Sequence, residues 1–247
     1  MGQLQRLVIA PEQMMHGGIQ LDHDQVHYLQ RVLRLQVGDR FIAMDGRGQT
    51  WLAAIGKTVV TGETIATILE TLEVDSELPQ AVTLAIALPK GSGFDDVVRQ
   101  VTELGVARIV PILSERTLLQ PNAKKLVRWQ KIAAEAAEQS ERAIVPEIDA
   151  PVKWQTYLQQ ASTSAERFLC WERGDSPGLL AAWSLAGTVE VAIGPEGGWT
   201  EAEVVAALAV GYQPVSLGKR ILRAVTASVA AAAILAAAQE QNRARKQ

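Results

Sequence analysis

Among the 247 residues there is one cysteine, Cys170, so no disulfide can close within the chain. The three histidines, His16, His23 and His27, all lie near the N-terminus, and no paired Cys/His spacing suits a zinc site. Long apolar runs are missing as well. The stretch Ala224 to Ala238 is mostly alanine and falls short of the roughly 20 residues of a spanning helix. No such run follows Arg6, where a signal peptide would carry one. These absences predict a soluble, cytoplasmic protein without a membrane partner or a metal. Excess positive charge is absent too: the net charge is −3. Residues 1–72 hold six Lys/Arg against seven Asp/Glu, and residues 73–247 hold 18 against 20. Any RNA contact must therefore come from local arginine clusters rather than a basic field. Neither a Gly-x-Gly-x-x-Gly after a strand nor a P-loop occurs, which disfavours a dinucleotide site and a phosphate-cradling ATPase.

What is present suits a globular protein. Hydrophobic residues make up 48% and charged residues 21%, enough for a sizeable core without staples. The first 72 residues read as a small β-rich unit, with strands at Arg40–Met44, Trp51–Ile55 and Thr64–Leu69 around an Asp45-Gly46 turn. Before them, Asp24 to Leu35 carries Val26, Leu29, Val32 and Leu33 at helical spacing. His27, Arg31 and Arg34 then share one face, either a solvated stripe or an RNA contact. The acidic segment Glu73–Gln80 reads as a linker, so the domain boundary is placed at 72/73.

Beyond it, strands and helices alternate. Strands are expected at Ala81–Leu88, Val106–Leu113, Arg167–Trp171, Val189–Ile193 and Pro214–Leu217. Helices are expected from Phe94 to Leu104, from Asn122 to Ser140, after the Thr200–Glu203 capping box, and along the final alanines. This pattern implies an α/β domain with a mainly parallel sheet. Ligands of such sheets bind beyond the carboxyl ends of strands, where two loops stand out. Ile193-Gly-Pro-Glu-Gly-Gly-Trp199 can bring backbone close to a ligand, or can merely join a strand to a helix. Leu217-Gly-Lys-Arg-Ile-Leu-Arg223 sets three cations beside apolar residues, which suits a nucleoside-like ligand or an RNA phosphate, or else a wet surface loop.

Taken jointly, five stretches resemble the RsmE family of 16S ribosomal RNA uridine-N3 methyltransferases. They are His27-Tyr-Leu-Gln-Arg-Val-Leu-Arg34, Val101-Thr-Glu-Leu-Gly-Val106, Ser114-Glu-Arg116, the run from Trp129-Gln-Lys131 through Glu138-Gln-Ser-Glu-Arg142 to Val145-Pro-Glu-Ile148, and the two glycine loops. The resemblance spans nearly the whole chain, and its order and spacing are specific.

That resemblance implies a PUA-like RNA-binding barrel at residues 1–72 and a SPOUT-type methyltransferase domain with a trefoil knot at 73–247. It implies S-adenosyl-L-methionine as cofactor, 16S ribosomal RNA or the small subunit as partner, and a homodimer. By the same resemblance Gly194, Glu196, Gly197, Gly198, Leu217, Gly218, Ile221 and Leu222 are cofactor-binding; from their place beside that loop, Arg220 or Arg223 is the candidate catalytic residue that stabilises a uracil anion. Arg31 and Arg34 on the barrel, and Arg116 and Arg142 near the active site, are candidate RNA contacts. Two positions depart from the family pattern. Val225 stands where a glutamate is usual, so no carboxylate is available there, and Arg99-Gln100 replaces a Gln-Lys pair. Two alternatives stay open: an inactive RNA-binding protein of the same fold, and a methyltransferase acting on another RNA.

Overall fold

The computed structural model of the protein describes residues 4–57, 64–118, 121–160, 165–171 and 175–245. The chain divides into two compact units, Met1–Glu77 with Ala137–Val145, and Leu78–Ala136 with Pro146–Gln247.

The first unit opens with β1 (Arg6–Val8), a 3-10 turn at Pro11–Gln13, β2 (Met14–Met15) and β3 (Gly18–Leu21). Next come α1 (His23–His27), a π-helical turn at Tyr28–Val32, β4 (Arg40–Met44), β5 (Thr50–Ala54) and β6 (Thr64–Leu72). The strands form one sheet in the order β1-β4-β5-β6-β3-β2, with β1 parallel to β4 and the other neighbours antiparallel. Alternation turns Phe41 and Ala43 of β4, Ala53 of β5 and Ile19 of β3 into a shared core with Leu29. The Asp45 carboxylate accepts the amides of Arg47 and Gln49 and shapes the turn between β4 and β5. Sequence patterning finds β4, β5 and β6 but not β1 to β3, which are too short to show a period.

The helix expected from Asp24 to Leu35 is shorter and bent. Asp22 caps α1, accepting the Gln25 amide at 2.8 Å. The ladder then widens, with the Leu33 amide donating to the Tyr28 carbonyl at 3.0 Å. Arg34 lies past the last turn at φ 59°. The face predicted to join His27, Arg31 and Arg34 therefore does not form, because Arg34 is swung off the helix. Arg31 and Arg34 are both exposed.

Residues 137–145 complete this unit. The Glu138 carboxylate accepts the Val8 amide at 2.7 Å, and Arg6 pairs with Glu141 at 2.8 Å. Arg142 is only 3% exposed, and its guanidinium pairs with Glu77 at 2.6 Å. Glu77 also accepts the amides of Ala143 and Ile144. The expectation that Arg142 contacts RNA is corrected: its charge is spent inside the unit on a carboxylate, with no face left for a phosphate.

The second unit contains β7 (Val82–Ala87), α2 (Gly93–Glu103), β8 (Arg108–Leu113), α3 (Ala123–Gln139, whose last residues belong to the first unit), β9 (Glu147–Ile148) and β10 (Val152–Lys153). It continues with α4 (Trp154–Gln159), β11 (Glu166–Cys170), α5 (Leu179–Ala182), β12 (Val189–Ile193), α6 (Glu201–Ala209), β13 (Gln213–Val215) and α7 (Ala224–Ala244). The sheet runs β10-β8-β7-β12-β11-β13, with β9 also on β8, and every pairing is parallel. Parallel strands need crossovers, and helices cover both faces. On one face Ala85, Val110, Leu169 and Ala192 pack against Trp154, Trp199, Val204 and Tyr212 from α4, α6 and their flanking loops. Alternation turns Leu84, Ile86 and Val191 to the other face, where α7 packs on β7, β12, α2 and α5. Small side chains at Ala227, Ser228, Ala231 and Ala232 let that helix approach closely. Gln239 fastens its far end, exchanging two hydrogen bonds with the backbone of Gln80. Among the described residues no helix is long and apolar enough to cross a membrane.

Candidate active site

Three neighbouring parallel strands, β12, β11 and β13, end at a common cleft. Cys170 at the end of the central strand β11, and Trp171 directly after it, line the cleft. The loop after β12 supplies Gly194, Pro195, Glu196, Gly198 and Trp199, and the loop after β13 supplies Ser216, Leu217, Gly218, Arg220, Ile221 and Leu222. The two glycine loops singled out from the sequence are thus brought face to face, because both flanking strands pair with β11.

Each loop is shaped by local chemistry. In the first, Gly198 adopts φ 70° and its amide donates to the Pro195 carbonyl at 2.8 Å. Thr200 then caps α6, and its capping box with Glu203 forms as expected. At Gly194 a Cβ would lie 3.0 Å from the indole nitrogen of Trp199, so any side chain there would press on that buried ring. In the second loop Gly218 adopts φ 115°, and its amide donates to the Ser216 hydroxyl at 3.0 Å. Leu179 and Ser216 are joined by a backbone bond, so α5 buttresses this turn.

Of the sequence-predicted cofactor residues, Gly194, Glu196, Gly198, Leu217, Gly218, Ile221 and Leu222 line the cleft, as does Arg220. Gly197 instead faces Arg116, whose guanidinium donates to the Gly197 carbonyl. Arg223 is the N-cap residue of α7, is exposed and does not line the cleft. Among the described residues neither Arg220 nor Arg223 forms an ion pair. Ile221 is 85% exposed at the mouth, an apolar side chain with nothing over it. The Glu196 carboxylate accepts the Lys90 amide at 3.1 Å, which ties the loop before α2 to the glycine loop. Val225 packs toward Gly93, the first residue of α2, its methyl 3.1 Å from where a Cβ would stand. The position of the missing glutamate is therefore a packing position here.

Sequence reasoning missed Cys170, Trp171, Trp199 and Lys90. Trp199 directly follows the glycines and could have been found; the others are neighbours only through strand pairing. Burial pushes the Cys170 thiol up to about 12, so it is a neutral thiol rather than a nucleophile. A larger cavity, about 840 Å³, opens beside the ends of β8 and β10, lined by Ser114, Glu115, Asn122, Lys153 and Glu203 among others. It has no glycine-built backbone cradle, so the smaller cleft is the better candidate for a nucleoside-bearing ligand.

The family described as RNA methyltransferase domain matches residues 76–236, and the RNA methyltransferase PUA domain matches residues 21–61. Ribosomal RNA small subunit methyltransferase E of Synechocystis is 49% identical over 233 residues, covering 92% of this chain and 76% of that protein. The chain belongs to the RNA methyltransferase family that includes ribosomal RNA small subunit methyltransferase E. The Bacillus subtilis methyltransferase E is 32% identical over 218 residues, covering 83% of this chain and 84% of its own. The crystal structure of the Neisseria gonorrhoeae methyltransferase E bound to S-adenosyl methionine superposes with a TM-score of 0.86 at 30% identity, covering 96% of this chain and 98% of that one. Membership in this RNA methyltransferase family accords with the parallel-sheet unit and the strand-rich unit before it.

Proposed function

We propose that the protein methylates 16S ribosomal RNA of the small subunit, using S-adenosyl-L-methionine, at N3 of a uridine. The observation that carries this is the cleft in which two glycine-shaped loops face each other across the end of β11. The names of the relatives support the ribosomal RNA, and the Neisseria relative, bound to S-adenosyl methionine, supports the cofactor.

The residues present fit that group. Gly194 sits tight against the Trp199 ring and carries no side chain, so the loop offers bare backbone to a ligand. Trp199, on the same cleft wall, has a buried indole N–H without a hydrogen-bond partner. Leu217, Ile221 and Leu222 give apolar cover. When bound, the cofactor supplies an electrophilic methyl group on a sulfonium. Backbone of Gly194, Gly198, Leu217 and Ile221 would hold it, and the uridine must be unstacked and aligned, so positioning supplies much of the rate. Arg220, on the cleft wall and free of an ion pair, would stabilise the negative charge that grows on the uracil as N3 loses its proton. Arg223 would serve less directly, from outside the cleft lining. Glu196 is engaged with the Lys90 amide, and Val225 accepts no proton. Arg31 and Arg34 on the first unit and Arg116 beside the glycine loop remain the candidate RNA contacts. The trefoil knot around the second loop, a homodimer and a cytoplasmic location belong to the same proposal.

Val225 favours one second reading, an RNA-binding protein of this fold without activity. Calorimetry with S-adenosylmethionine, followed by nucleoside mass mapping of 16S ribosomal RNA methylated in vitro, separates the two. Saturable heat and N3-methyluridine are expected. Absence of heat at high cofactor concentration would overturn the enzymatic reading.

A further inference from the structure

Glu203 is a carboxylate only 7% exposed, in the first turn of α6. A buried carboxylate needs donors around both oxygens. Its Oε2 accepts from the amide of Thr200 at 2.9 Å and from the Thr200 hydroxyl at 3.2 Å, which completes the helix cap. Oε1 is not needed for that cap. It accepts instead from the amide of Glu115 at 2.8 Å, 88 residues away in sequence. Glu115 belongs to a closed turn after β8, where the Ser114 amide donates to the Thr117 hydroxyl and the Thr117 amide donates to the Ser114 carbonyl, each at 3.0 Å. The next residue, Arg116, donates to the same stretch of chain. Its guanidinium donates to the Gly197 carbonyl, and its Cδ lies 3.2 Å from where a Gly197 Cβ would stand. Two bonds, both donated by the turn, thus join it to the glycine loop at Gly197 and to the first turn of α6 that follows that loop.

We infer that Glu203 is a positioning residue: with Arg116 it latches the Ser114–Thr117 turn to the Gly194–Trp199 loop, so that the arginine and the cofactor-side backbone are set as one body. The consequence for methyl transfer rests on the function proposed above; the latch itself does not. A capping box works with Gln as well as Glu. Glu203→Gln therefore keeps an acceptor for Thr200 but turns an NH2 group toward the Glu115 amide, where donor meets donor. The cap survives and the latch breaks.

Hydrogen exchange on the full ligand-free chain tests this. Glu203→Gln is expected to raise exchange about tenfold at 114–117 and 194–199 together, with the melting temperature little changed. Calorimetry with S-adenosylmethionine is expected to show affinity falling about tenfold. In cofactor affinity, measured without RNA, Glu203→Gln and Arg116→Ala are expected to be non-additive, since both act through one latch. Unchanged exchange at 114–117, or losses that simply multiply, would overturn the inference. Should Glu203→Gln fail to fold, Glu203→Asp, one methylene shorter, reads the same loops. Wild-type protein giving no heat with the cofactor would defeat the enzymatic reading, and the exchange data alone would then decide the latch.

Discussion

Arg142 lies in the stretch 137–145 that returns to the first unit. Its guanidinium is paired with Glu77, and Glu77 in turn holds two backbone amides of the segment that follows. Truncating one partner of a buried pair leaves the other charge stranded. Arg142→Ala is expected to cost about 3 kcal/mol of stability in urea unfolding, while the folded fraction keeps its affinity for ribosomal RNA. A variant of wild-type stability that lost RNA affinity would instead restore the RNA-contact role. Residue type and spacing alone could not separate these roles, because an arginine that pairs internally and one that meets a phosphate look alike in sequence. Glycines were easier to read. Gly194, Gly198 and Gly218 each answer to a local demand, a missing Cβ or a positive φ, and such demands leave a mark on the sequence.

Elements with their own start signals were legible: the Thr200–Glu203 box begins α6, and β4 and β12 occupy the predicted residues. The π-turn at Tyr28–Val32 was not, since its apolar residues keep ordinary helical spacing while the backbone widens to bury Leu29. The alanines of α7 were read as permitting close packing, and Ala231 is fully buried on that helix, which packs on β7 and α2. Ala231→Leu adds three carbons where none fits. It is expected to lower stability by about 1–3 kcal/mol, seen as a lower melting temperature, whereas leucine at exposed Ala209 should be tolerated. Equal effects at the two positions would mean that α7 is not closely packed.

For the whole molecule, the α/β class followed from alternation, but the strand order β10-β8-β7-β12-β11-β13 did not, because parallel neighbours are chosen by packing across long stretches of chain. Nor did the return of residues 137–145 to the first unit, which depends on single pairs such as Arg6–Glu141. The same non-local assembly buries ionisable groups that have no role in the cleft. Glu190 of β12 is hydrogen-bonded by Tyr212, which precedes β13, and Tyr157 of α4 lies against the same carboxylate. Burial first, then the negative charge of Glu190, holds both phenols well above the ordinary tyrosine value of 10.0. A raised folded-state value means that the native chain grips these protons more tightly than the unfolded chain does. Their contribution is therefore complete at neutral pH and is lost as pH rises past the unfolded value, toward 10 and beyond. Each such group lowers stability by about 1.4 kcal/mol per pH unit in that range. Urea unfolding between neutral pH and pH 11 is expected to be flat at first and then to fall, with Tyr212→Phe flattening the alkaline slope despite its lower starting stability. An identical slope in that variant would show that Tyr212 does not carry the alkaline transition.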